Sequence, residues 1–158
     1  MKYPILLLFS ILQMSLCSAQ KRIAGNYSYE TECLGVELDG TQILKAWGYG
    51  SNKPIAIEQA KKNAIKDVLF KGIRNGKSDC SMKPVVLETN ALENHEDYFN
   101  KFFSDGGDYL NFISQKDESK PKNIDKKNAR TGIEIGVVVG VLISDLKKKM
   151  IQDNIIIK

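Results

Sequence analysis

The stretch "IEQAKKNAIKDVLFKGI", residues 57–73, decides the reading of the fold. At about 100° per residue, Ile57, Ala60, Ala64 and Val68 share one stripe of a helix, with Ile65 and Gly72 beside it. Lys61, Lys62, Lys66 and Lys71 lie mostly toward water. An inner stripe this small suits close packing on a sheet. Pro54 suits the first helical turn, where its missing N–H costs nothing. Asn75-Gly76 is a stop signal, so the expected helix covers residues 54–74.

Working outward toward the N-terminus, residues 41–50, "TQILKAWGYG", read as a strand. Asp39-Gly40 supplies the positive φ angles of a tight hairpin turn. Residues 27–38, "YSYETECLGVEL", alternate and form the partner strand. Tyr27, Tyr29, Thr31 and Cys33 point one way, while Leu34, Val36 and Leu38 share a direction. Gly35 marks a bulge at which the apolar face switches.

Toward the C-terminus, residues 77–82 carry Cys80 in a loop, and residues 83–88, "KPVVLE", form a short strand with Pro84 at its beginning or on an edge. Asn90 and Glu93 have the spacing of a capping box. They open a helix over residues 91–104 with Leu92, Phe99 and Phe103 on one stripe, Phe102 at its flank and Gly106-Gly107 at its end. Residues 108–116 alternate and read as a strand. Residues 117–130, "DESKPKNIDKKNAR", are an exposed, lysine-rich loop. Residues 131–143, "TGIEIGVVVGVLI", are too apolar for a strand open to water on both faces and should be central. Ser144 caps a short final helix, "DLKKKMIQDN". The fold class is α+β: a mixed or mainly antiparallel sheet of about five strands, with two longer helices and a short C-terminal helix packed on one face.

The N-terminal "MKYPILLLFSILQMSLCSAQ" has a basic Lys2, an apolar run and small residues at Cys17 and Ala19, which marks residues 1–19 as a signal peptide. The run is too short to span a membrane, which takes ~20 apolar residues. The mature chain then starts at Gln20 and residues 20–158 form a single domain. Export to the periplasm or outer membrane is the strongest functional inference from the sequence. Cys17 at the +1 position would carry a lipid anchor instead, but Leu16 stands where a lipoprotein signal has a small residue.

Cleavage leaves two cysteines, Cys33 and Cys80. In an oxidising compartment the pair points to a disulfide. Closing a loop of about 48 residues would contribute roughly 4 kcal/mol in the chain-entropy model. Two unpaired thiols are the alternative, and no C-x-x-C pair supports redox chemistry. The formal charge of +4, with both signs mixed along the chain, excludes a dedicated nucleic-acid binder, which concentrates basic residues on one face.

No catalytic constellation is legible. The single histidine, His95, stands among Glu93, Glu96 and Asp97, but metal sites draw several ligands together. No nucleophile-elbow context surrounds it. His95 reads as a residue at the border of the apolar stripe, and neither a metal nor a cofactor is expected. Gly132, Gly136 and Gly140 spell a G-x-x-x-G pattern twice, in a run too short for a membrane helix. At period four on a strand they share one face and leave room for a helix, matching Ala60, Ala64 and Gly72. Trp47 and Tyr49 share a face of their strand, with Tyr27 and Tyr29 opposite. This is an aromatic binding face or a cross-strand cluster. The lysine-rich loop would contact an anionic membrane only if its acids, Asp117, Glu118 and Asp125, were silent.

Three segments together, "ILKAWGYG", "AIEQAKKNAIKDVLFKGI" and "IEIGVVVGVLISDLKKKMIQDNII", resemble the small-lipoprotein and flagellar-assembly-protein-T-like domains of bacterial envelopes. The matching positions are Gly48, Gly50, Ala60, Ala64, Val68 and Leu69, then residues 137–141, Leu146 and Met150. The segment "YFNKFFSDGGDY" is also similar to short exported proteins of the Bacteroidetes. The resemblance covers about half the mature chain and implies an α+β domain used in assembly or binding, with no catalytic residue to carry over. The expectation is therefore an exported, non-enzymatic domain that binds a protein partner or itself at the envelope. The alternative is a small glycan-, peptide- or lipid-binding module using Trp47 and Tyr49.

Overall fold

The computed structural model describes residues 30–114, 125–129 and 132–156. The expected signal peptide, Cys17, Tyr27, Tyr29 and residues 117–124 of the expected loop lie outside these. The fold is α+β. Strands β1 (Glu32–Val36) and β2 (Gln42–Gly50) form a hairpin, followed by helix α1 (Lys53–Phe70) and the two-residue strand β3 (Asn75–Gly76). Two short helices, α2 (Ala91–Asn94) and α3 (Glu96–Phe102), precede a 3₁₀ turn (Asp108–Phe112). Strands β4 (Asp125–Ala129) and β5 (Gly132–Val141) and helix α4 (Ile143–Gln152) complete the chain. The sheet order is β3-β1-β2-β5-β4, with only the β1–β3 pairing parallel.

The hairpin closes as the sequence predicts, around a slightly wider turn. Glu37 N–H donates to the Thr41 carbonyl and Gly40 N–H to the Glu37 carbonyl, so residues 38–40 form the loop. Gly40 takes φ 85°, and the Asp39 carboxylate accepts the Thr41 N–H at 2.9 Å. The register shifts at Gly35 as a bulge. The bulge does not turn Leu34 and Val36 into the core: both stay exposed, on the part of β1 beyond its two-residue pairing with β3.

Helix α1 starts one residue early, on Asn52, whose side chain accepts the Ile55 N–H at 3.1 Å. Ala56, Ala60 and Ala64 are fully buried. They face β2 at Gly48 and Gly50, where a side chain on Gly48 would meet the backbone of Ala56 and Ala60. The small helical stripe therefore seats on glycines of β2, and the expectation for Gly132, Gly136 and Gly140 is corrected. Ile135, Val137, Val139 and Val141 alternate with those glycines and face the core, because pleating puts successive residues on opposite faces.

The helix also stops earlier than the Asn75-Gly76 signal. Gly72 adopts φ 73°, and Lys71 and Gly72 N–H both donate to the Asp67 carbonyl. Gly72 is thus a terminator, not part of the inner stripe. The next two orphan carbonyls, Val68 and Leu69, accept the N–H groups of Val85 and Val86. That engagement is why residues 83–88 form no strand: their donors already cap a helix.

Three further expectations change. Asn90 sits in the left-handed region (φ 57°) with no side-chain cap bond, so it is a turn residue. The expected single helix over residues 91–104 breaks at His95, and Ala91, Phe99, Phe102 and Phe103 form its buried face while Leu92 stays partly exposed. Residues 108–112 coil into a 3₁₀ turn instead of a strand, which buries Tyr109 completely beside α1. Of the described residues that follow, only Ile113 continues as a bridge, to Val141, and residues 115–116 of the expected strand lie outside the described residues. At the other edge of the expected lysine-rich loop, residues 125–129 pair with β5 as an edge strand. Ser144 lies inside the first turn of α4, whose N-cap is Leu142.

The core lies between the sheet and the helices. An aromatic layer of Phe99, Phe102, Phe103 and Phe112 packs beside α1, with Phe70 edge-on to Phe99 at 5.0 Å. Leu146 and Met150 of α4 are fully buried, and Tyr98 donates from its hydroxyl to Asp153 at 2.6 Å. Cys33 and Cys80 form a disulfide that ties β1 to the loop after β3. Among the described residues no helix is long and apolar enough to cross a membrane.

Candidate functional site

Two surfaces stand out, one legible in the sequence and one not. The first is the sheet face that no helix of the described residues covers. Trp47 pairs with Gly136 and Tyr49 with Glu134 across the β2–β5 ladder. A Cβ on Gly136 would stand 3.1 Å from Cε2 and Cζ2 of the indole and 3.2 Å from Cδ2, so the ring lies flat over the glycine. Lys45 Nζ is 5.2 Å from the ring centroid, and Trp47 keeps only 9% of its surface exposed. Tyr49 places its hydroxyl against Gly132 and remains 47% exposed. Gly132 and Gly136 of β5 thus seat aromatic rings, a pairing that shields a strand glycine from water. Of the four aromatics that the sequence assigns to a binding face, Tyr27 and Tyr29 lie outside the described residues, and Tyr49 presents a larger surface than Trp47.

The second surface surrounds the C-terminal end of α1. Residues 81–92 leave the disulfide at Cys80 and are anchored by the Val85 and Val86 N–H bonds to α1. Val86 turns inward, but Met82, Leu87 and Leu92 are 56%, 76% and 38% exposed. Asn94 donates to Glu88 at 2.7 Å, and His95 Nε2 lies 3.0 Å from the same carboxylate. These bonds, Asn94 first and then His95, hold the Glu88 carboxyl below its ordinary value. His95 itself sits edge-on to Phe99 at 6.4 Å and is half-buried. Its role here is to close the turn that presents Leu87 and Leu92.

Leu92 lines three adjoining depressions. The largest, 830 Å³, runs between α1 and the start of β1, with Phe70, Pro84 and Leu92 among its walls. A neighbouring depression of 360 Å³ shares those three residues and adds Leu87. The third, 500 Å³, is lined by Lys62, Lys66, Glu93 and Glu96. Glu93, Glu96 and Asp97 are exposed, and Glu93 and Glu96 share that depression with two lysines. Among the described residues no group of three or more His, Cys, Asp or Glu side chains is placed to hold a metal ion.

Sequence reasoning missed this second surface because its parts come from separate stretches, residues 30–31, 63–75 and 83–93, with Trp47 at its border. A visible signal was the run of apolar residues after Cys80, in a segment too proline- and polar-interrupted for a central strand. Comparison of the chain with protein-family models, curated proteins and solved structures gives no match.

Proposed function

We propose that this protein is an exported, non-catalytic domain that binds a protein partner, or a second copy of itself, at the cell envelope. The observation that carries the reading is the segment of residues 81–92. It exposes Met82, Leu87 and Leu92 while both its ends are fixed by covalent and hydrogen bonds. Exposed apolar side chains on a pre-ordered segment favour association, because little entropy is lost on docking. The buried disulfide supports an oxidising compartment, as does the apolar N-terminal run. The resemblance read from the sequence, to envelope assembly domains, points to the same class.

A photo-cross-linking residue at position 87 tests the reading in intact envelopes. Covalent adducts to a protein, or to the chain itself, are expected. A chain recovered only as an uncross-linked monomer overturns it. A second reading, glycan binding on the sheet face, is favoured by the exposed ring of Tyr49 alone. Its check is the fluorescence of the single tryptophan during titration with envelope glycans, which this reading expects to change and protein binding does not.

A further inference from the structure

The 830 Å³ cleft beside α1 combines an apolar floor with unbalanced positive charge. Phe70, Pro84 and Leu92 supply the floor, and Lys66, Lys71 and Arg74 the cations. Two carboxylates also line it, and both are already engaged. Asp67 accepts the Thr31 hydroxyl and pairs with Lys71 at 2.9 Å, while Glu30 accepts from the Asn75 side-chain amide. Lys66 makes its contact with the Phe103 ring, at 5.0 Å, and neither Lys66 nor Arg74 has an ion-pair partner among the described residues. The cleft is therefore apolar at its base and cationic at its margin, where three cations face two carboxylates and one of those, Asp67, is paired with Lys71.

We infer that this cleft receives an extended segment of the protein partner in which carboxylate side chains flank a large apolar one. The inference rests on the protein-binding reading above and supplies the chemistry of its partner. The apolar side chain packs at the junction of Phe70, Pro84 and Leu92, and the chain continues toward Leu87 in the adjoining depression. Its carboxylates meet Arg74, which offers a planar two-pronged donor, and Lys66. Charge complementarity selects acidic segments against basic ones, since the lining cations Lys66, Lys71 and Arg74 outnumber the carboxylates Glu30 and Asp67.

The test titrates the ¹⁵N-labelled full-length protein, with its disulfide formed, against two probe peptides. One is acetyl-Gly-Glu-Leu-Glu-Phe-Glu-Gly-amide, and the other replaces each Glu with Lys. Saturable amide shifts at residues 66–74 and 83–92 are expected with the acidic peptide and not with the basic one. Arg74→Glu, on an exposed side chain outside the core, is expected to weaken acidic-peptide binding by roughly ten-fold or more and to shift preference toward the basic peptide. Equal response to both peptides, shifts confined to the β2–β5 face, or no saturable shift at millimolar peptide overturns the inference. So does saturation by phosphatidylglycerol vesicles with none by the peptide. Cross-links from position 87 that persist in Arg74→Glu remove the charge assignment and leave the protein-binding reading standing. Loss of all cross-links in the parent protein removes that reading itself.

Discussion

Replacing Gly48 with alanine puts a methyl group 2.2 Å from the Ala56 carbonyl oxygen and 2.2 Å from the Ala60 nitrogen. Both neighbours are main-chain atoms of α1, so no rotamer change relieves the overlap and the whole helix must lift from β2. Overpacking of a tight core costs about 1–3 kcal/mol. A backbone-on-backbone clash belongs at the upper end, about 3 kcal/mol, lowering the melting temperature by roughly 6–12 °C for a domain of this size. Gly136→Ala is the matched control on the opposite face. Its methyl meets only the Trp47 ring, at 3.1 Å, and the side chain gives by a few tenths of an ångström. Its expected cost is below about 1 kcal/mol, with a change in the emission of the single tryptophan. Urea unfolding followed by circular dichroism measures both variants. If Gly136→Ala is the more damaging, or Gly48→Ala stays within about 1 kcal/mol of the parent, the assignment of the helix to the Gly48 face is wrong.

Three further outcomes are expected. The cysteines are separated by 47 positions, so reduction, or a Cys33→Ser/Cys80→Ser double change, removes about 4 kcal/mol in the chain-entropy model. Denaturant midpoints with and without reductant measure it, and a thiol assay on unfolded, unreduced protein should find neither Cys33 nor Cys80 free. Tyr98 and Tyr109 are held well above the ordinary tyrosine range, by burial first and then by their bonds to Asp153 and Glu58. A raised folded-state value means that their stabilisation is complete below about pH 10 and is lost as pH rises beyond it, because the unfolded tyrosines ionise first. Phenolate absorbance should therefore show these two tyrosines titrating only as the fold opens, and Tyr98→Phe should flatten the alkaline decline. Asn63 donates to the Trp47 carbonyl at 2.8 Å and accepts from Gln59, so Asn63→Ala should cost about 1–2 kcal/mol in the same unfolding assay.

Local chemistry by itself determined the elements whose signals are self-contained. The Asp39-Gly40 turn, the alternation of β2, the alanine spacing of α1 and the β-branched run of β5 depend on neighbours within a few residues, and each element forms as its residues say, with only its ends shifted. Cys33 and Cys80 form the disulfide that the sequence suggested over two unpaired thiols. Tertiary structure decided whatever depended on a partner distant in the chain. Residues 83–88 have the composition of a strand, but the N–H groups of Val85 and Val86 cap the open carbonyls of Val68 and Leu69 in α1 instead of entering a ladder. Residues 108–112 alternate like a strand, yet coil so that Tyr109 reaches Glu58 beneath Lys62. The glycines of β5 have a visible period, but which sheet face the helix occupies depends on α1 finding Gly48 and Gly50. The apolar, cationic cleft is the extreme case. Glu30, Arg74 and Leu92 share it only because the disulfide and the capped end of α1 bring three separate segments together, and no local pattern encodes that meeting.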